Sequence, residues 1–170
     1  NNVAIGNEAG KTNKEGDYNV FLGHNAGKTV KKATNSIAIG YLAGDGYSTY
    51  EYSDNVFIGT KSGYNIKSGS SNVFIGNQAG YTNSIGNYNV FLGYKAGYKN
   101  TSDNNTFLGY QAGLNTSSGG NNVFLGTSAG ETNTSGGSNV FIGNNAGYSN
   151  ISGYSNVYLG NQAGYYNSNQ

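Results

Sequence analysis

The 170-residue chain has no cysteine, proline, methionine, tryptophan or arginine. Without cysteine there are no disulfides and no thiolate metal sites. The lack of thiols also fits an extracellular or surface location. Charge is scarce, at 10% of residues with a formal net charge of +1. That gives no electrostatic reason to expect a nucleic acid or an anionic membrane as partner. KTVKK (residues 28–32) is the only dense basic run, and it reads as a solvated loop. No apolar run approaches the roughly 20 residues of a spanning helix, so direct membrane insertion is not expected. The chain opens inside a repeat, NNVAIG, which reads as a mature protein or a piece of a longer one.

Gly (29 residues), Tyr (16), Asn and Ser dominate what is present. In residues 72–100, NVFIGNQAGYTNSIGNYNVFLGYKAGYKN, one phrase occurs twice. The Gly closing each N-V-F-[IL]-G pentad recurs at positions 6, 23, 40, 59, 76, 93, 109, 126, 143 and 160, at intervals of 17 broken by one of 19 and one of 16. Three residues later stands Ala, or Ser62 in one copy, followed always by Gly. Ten copies fill residues 1–170 as one repeat domain.

Each pentad is β-branched and aromatic and ends on Gly, which predicts a strand. The following x-x-A-G-Y-x segment is expected to be a second, short strand, and the Asn, Ser and Gly after it a turn. Seventeen residues are too few for a helix pair, and the polar half has no helical period. The fold class is therefore all-β, a parallel β-solenoid of ten coils. Stacking at about 4.8 Å per coil makes a rod of roughly 48 Å. The recurring Asn before each pentad predicts a hydrogen-bonded ladder, as in other cross-β stacks. The recurring Gly predicts positive-φ corners or close approach of coils.

Side chains alternate along a strand. The Val and Ile/Leu columns therefore face one way, and Asn and the aromatic column face the other. The aromatic column is Phe21, Phe57, Phe74, Phe91, Phe107, Phe124, Phe141 and Tyr158, with Ala4 and Ala38 in early copies. A thin coil has one interior, so one column is the core ladder and the other an oligomer seam. An exposed apolar column of this length exceeds what monomers usually tolerate. A second copy of the chain is the simplest cover, within a cyclic oligomer. Loops folding over the seam of a monomer are the alternative.

NNVAIG (residues 1–6) and NSIAIG (residues 35–40) resemble the NSVAIG motif of YadA-like head repeats in trimeric autotransporter adhesins. The other copies resemble the same repeat with an aromatic at its centre. NNTFLGYQAG (residues 104–113) is also similar to the NTxxGYQA repeats of bacterial and phage tail-fibre-like proteins. Both resemblances run the length of the chain. They imply a left-handed parallel β-roll, a homotrimer with the motif strand lining its inside, and surface display.

Nothing in the sequence composes a catalytic or cofactor site. His24 is the only histidine, and no Ser has a second His to complete a triad. The eight carboxylates share no repeat position, so no stacked acid–base pair is predicted. The Asp of every turn in a calcium-binding nonapeptide repeat is missing. GNEAGK and GHNAGK look like phosphate loops, yet G-x-x-A-G is the grammar of the repeat itself. No enzyme activity, metal or cofactor is expected.

Two features are candidates for surface binding. Tyr64, Tyr81, Tyr98, Tyr148 and Tyr165 recur just after Ala-Gly and form a partial stripe. The 19-residue interval carries DGYSTYEYSD (residues 45–54), with Tyr47, Tyr50 and Tyr52 expected in a bulged loop. Tyrosines suit glycans and protein surfaces. The expected function is an adhesive or structural fibre segment, with a phage-type tail fibre as the alternative owner. An ice-binding solenoid would call for a regular Thr face, which the strict ladders do not supply.

Overall fold

The computed structural model describes residues 1–46 and 51–167. The chain is all-β, with parallel strands stacked as a solenoid. Ten strands form one sheet: β1 (Val3–Ile5), β2 (Val20–Leu22), β4 (Ile37–Ile39), β6 (Val56–Ile58), β7 (Val73–Ile75), β8 (Val90–Leu92), β9 (Thr106–Leu108), β10 (Val123–Leu125), β11 (Val140–Ile142) and β12 (Val157–Leu159). The register keeps like above like, as in Phe74 beside Phe91 and Phe91 beside Phe107. The strand order follows the chain, so each coil pairs with the next. A second sheet of two strands, β3 (Lys32–Thr34) and β5 (Glu51–Ser53), belongs to the coils around the long interval.

The aromatic column lies inside the coil. Phe57, Phe74, Phe91, Phe107, Phe124 and Phe141 are fully buried, and the Ala of the Ala-Gly pairs from Ala9 to Ala146 packs with them. Neighbouring rings stack at 4.7–5.0 Å from Phe74 to Tyr158. The seam role therefore cannot fall to Phe, and the Val and Ile/Leu columns form the outer face.

The pentad Asn shares that interior and is satisfied there. Asn72 Nδ2 donates to Asn55 Oδ1 (3.1 Å) and to Gly86 O (2.8 Å). Its Oδ1 accepts from Asn89 N (2.9 Å) and Asn89 Nδ2 (3.2 Å). Ser36, the one departure, keeps the ladder running: its N–H donates to Asn19 Oδ1 and its hydroxyl accepts from Asn55 N. A buried amide with every group paired is tolerated where an orphaned one is not.

The x-x-A-G-Y segment is a turn, not the expected second strand. Its second residue and its Gly both take the left-handed conformation, as in Lys95 (φ 55°) and Gly97 (φ 60°). An extended strand tolerates neither. The turns still bond from coil to coil: Gly80 N donates to Ala96 O at 3.0 Å and Lys95 N to Asn77 O at 3.0 Å. The two recurring glycines meet different needs. A Cβ on Gly93 (φ 135°) would stand 2.3 Å from Gly109 O in the next coil, and one on Gly97 2.5 Å from the Phe91 ring.

The third coil carries Ala38 where its neighbours carry Phe. Tyr52, from the long interval, fills that space. It is 3% exposed, stands edge-on to Phe57 and donates its hydroxyl to Gly44 O at 3.1 Å. Its expected place in a surface loop is thus corrected: Tyr52 is core.

Candidate interaction surfaces

The strand face is the largest regular surface. From β2 onward in the ten-stranded sheet the burial alternates, with the central residue inside and the two aliphatic residues facing out. β1, the end strand, is exposed throughout. Val3, Ile5, Leu22, Leu108, Ile142, Val157 and Leu159 are exposed, and the intervening Val, Ile and Leu are half-buried by their coil neighbours. Thr106 alone interrupts the Val column. The result is a ribbon two columns wide and ten strands long.

Two left-handed or Gly corners border this ribbon. The leading corner is the residue before the ladder Asn, such as Tyr18 (φ 60°) and Tyr88 (φ 57°). The trailing corner is the residue after the pentad Gly, including His24, Tyr41, Tyr94 and Tyr110. Tyr18, Tyr41, Tyr88, Tyr94 and Tyr110 are all exposed. His24 stacks on Tyr41 at 5.6 Å and Tyr94 on Tyr110 at 5.2 Å. Sequence reasoning passed over these corner tyrosines. The signal was their place immediately either side of N-V-F-[IL]-G.

The predicted stripe after Ala-Gly is brought together in two runs. Tyr64, Tyr81 and Tyr98 stack at 5.2 and 5.0 Å, and Tyr148 stacks on Tyr165 at 5.0 Å. Lys61 Nζ lies 5.7 Å from the Tyr64 ring, and Lys95 Nζ reaches both Tyr94 and Tyr98, at 5.2 and 5.6 Å. The Glu131 carboxylate raises the Tyr148 phenol above its ordinary range. Rings stacked this way cover one another's faces, which leaves little open face for sugar stacking. Tyr47 and Tyr50 fall outside the described residues.

Beside β3 and β5 a cleft of about 220 Å³ is lined by Lys32, Thr34, Glu51, Tyr52, Ser53 and Ser70. Ion pairs crowd this end: Lys31 bridges Glu15 and Glu51, Lys32 reaches Glu51, and Glu8 binds Lys11 and Lys28. Asp45 accepts from Thr29 N and Thr29 Oγ1, and burial pushes its carboxyl up against those bonds.

Among the described residues no group of three or more His, Asp or Glu is placed to hold a metal. No helix among them is long and apolar enough to cross a membrane. His24 packs against Tyr41. Away from the lysine pairs, Asp54 accepts from Asn35 Nδ2 and Asp103 from the Asn87 N–H. Of the Asn-x-Ser/Thr triplets, Asn100, Asn133 and Asn150 are fully buried in a second, inner Asn column, so they are building elements of the coil. No family model, curated protein or solved structure matches the chain.

Proposed function

We propose that the chain is a rigid segment of a surface fibre, a left-handed roll that assembles as a homotrimer and holds regular binding surfaces away from a cell or virion. The observation that carries this reading is the outer strand face. Ten strands present Val and Ile/Leu outward without a charge among them. Unpaired apolar surfaces of this regularity mark interaction sites. The core already closes within one chain through the Phe column, so association adds to a formed coil rather than completing it. Packing three such faces around one axis leaves the Tyr stripes and the charged first coils on the outside, repeated three times, where weak contacts to a glycan or a host surface protein add as avidity. An adhesin head and a tail-fibre shaft share this physics. The N-[VT]-[FY]-[IL]-G-x-x-[AS]-G grammar supports both owners equally.

Native mass tests the assembly. A species three times the 17.7 kDa of one chain is expected, and a folded single chain at micromolar concentration would overturn it. Attachment is tested by binding of the assembled chain to arrayed glycans and to intact cells, against a dissociated variant of the same fold. Equal retention of both would sink the multivalent mechanism.

A further inference from the structure

Resting on the self-association just proposed, we infer that the copies run parallel and are set in register by an aromatic latch. Tyr18 and Tyr88 of one chain lock against the His24–Tyr41 and Tyr94–Tyr110 stacks of the next.

The first observation is where charge is missing. Four columns make up the ribbon and its borders: leading corner, Val, Ile/Leu and trailing corner. Of nine lysines and eight carboxylates, only Asp54 lies in any of them. All the others lie elsewhere on the coil. Charge depletion with Tyr enrichment is the composition of an interface. Five residues of extended chain across and ten coils along give about 700 Å², near the ~800 Å² per partner of a standard interface.

The second observation is strain. Tyr18 and Tyr88 occupy left-handed corners where the other coils place Asn, Ser or Asp. Asn and Asp adopt this conformation readily, and a bulky tyrosine does not. Yet the two rings are 64% and 66% exposed. Packing within their own coil does not explain them.

The third observation is spacing. Rotation about an axis along the rod sets the leading corner of one chain beside the trailing corner of its neighbour at the same level, for a dimer or a trimer alike. Tyr18 and His24 belong to the second coil, Tyr88 and Tyr94 to the sixth, so both sets are four coils apart. Each leading tyrosine then meets a two-ring platform, because Tyr41 stacks on His24 and Tyr110 on Tyr94. In the fourth coil the lone carboxylate, Asp54, comes opposite the Thr60 hydroxyl. The remaining levels set small or polar leading residues opposite the trailing corner. A one-coil slip keeps Tyr18 and Tyr88 on the second ring of each platform, Tyr41 and Tyr110, but leaves a strand uncovered at each end. A slip of two coils sets Tyr18 against Thr60 and Tyr88 against Thr127. The end strands select against the first slip. The corners add the selection against the second.

The test uses the whole chain, which has no cysteine of its own. Three double variants are oxidised mildly and resolved by mass without reductant: Tyr88→Cys with Tyr94→Cys, Tyr88→Cys with Thr127→Cys, and Tyr18→Cys with Tyr88→Cys. Within one chain each pair is too far apart to bridge. The first is expected to give at least ten-fold more covalently joined chains than the other two. Preference for the second would mean a slipped register, and for the third an antiparallel pair; either overturns the latch. Failure of all three to join while the unsubstituted chain has an oligomeric native mass also overturns it. A monomeric native mass instead removes the assembly on which the latch rests.

Discussion

The rings of Tyr52 and Phe57 meet edge to face, 5.7 Å between centroids and 81° between planes. Tyr52 occupies the volume that a Phe in place of Ala38 would fill. Replacing Tyr52 with Ala therefore opens a ring-sized cavity, at a cost of about 3–5 kcal/mol. Tyr52→Phe keeps the packing and loses the bond to Gly44 O, for about 1 kcal/mol. The pair Tyr52→Ala with Ala38→Phe restores a ring from the other side and is expected to regain more than half of the loss. Urea unfolding of the three variants checks this. No recovery in the double variant would mean that the two residues do not share one volume.

Asn72 uses each of its side-chain groups in the ladder, so shape alone does not replace it. Asn72→Ala leaves Gly86 O and Asn89 N without partners and costs about 1–3 kcal/mol. Asn72→Asp turns the donor into an acceptor facing two oxygens. Its carboxyl is protonated more readily in the folded chain than in the unfolded one. Stability of this variant is therefore highest at acidic pH and falls as pH rises through the folded-state value. Thermal melting across pH 4–8, an interval chosen to span an ordinary carboxylate upward, reads the sign directly. A flat profile would contradict a buried donor role for this amide.

Much of this was legible in the sequence, and the reason is the period. A residue recurring once per coil stacks on itself, so the strand, the Asn ladder and the close approach at Gly93 could be read from position alone. Alternation assigned Phe and Val to opposite faces. It could not say which face was inside, because that depends on how the corners bend. The left-handed conformation of Lys95 and Tyr88 bends them, and neither residue announces such a conformation by composition. The same hidden bend turned the expected second strand into a turn. Tyr52 was misplaced because an insertion between repeats reads as a loop. The contrary signal was the missing ring at Ala38 in the same coil. The corner tyrosines were visible as residues and invisible as a set until the strand face was known to point outward.

Glu8 pairs with Lys11 of its own coil at 2.5 Å and ties the first two coils together through Lys28 at 2.6 Å. Those two partners, Lys11 foremost, lower its carboxyl from 4.5 to about 2. A lowered acid stabilises the fold above its unfolded value, and that stabilisation is lost as pH falls from about 4.5 towards 2. The Glu8 side chain is half-buried, still open to water, so the effect is small and screened by salt. The protection factor of the Thr12 amide, whose N–H is bonded to Lys28 O, taken against the intrinsic rate at each pH, is expected to fall over that interval at low salt. In Glu8→Gln the fall disappears. Identical pH profiles for both chains would show that the pair does not hold the coils.

Gly93 and Gly160 have the same place in the repeat and similar dihedrals, φ 135° and 117°. They differ in what lies beyond them. Nothing stands within 4 Å of a Cβ on Gly160, whereas on Gly93 the Gly109 carbonyl blocks it. Gly160→Ala meets only backbone strain, of order 1–3 kcal/mol. Gly93→Ala adds a clash that is relieved only by separating adjacent coils. It is expected to cost more and to loosen exchange protection on both sides of the sixth coil. Comparable unfolding midpoints for the two variants would contradict the close approach of stacked coils.

Val90 lies at the middle of the outer ribbon, half-buried by its own coil and facing the proposed neighbour. Val90→Lys puts a charge there without touching the Phe91 core. A single chain accommodates it, because a lysine stem can lie along the ribbon with its ammonium in water. Between packed copies the same charge loses its water and has no partner at its level, which is costly; the lone carboxylate of the four columns, Asp54, lies two coils away. The variant is therefore expected to keep its β-sheet circular dichroism and its monomer stability to within about 1 kcal/mol, the scale of surface changes. Its native mass is expected to fall to that of one chain. Lys67→Ala, outside the ribbon, serves as the control and leaves the mass unchanged. Loss of fold in Val90→Lys at the concentration where the unsubstituted chain is folded would show that the coil depends on its neighbour. An unchanged oligomeric mass would show that the neighbour packs elsewhere.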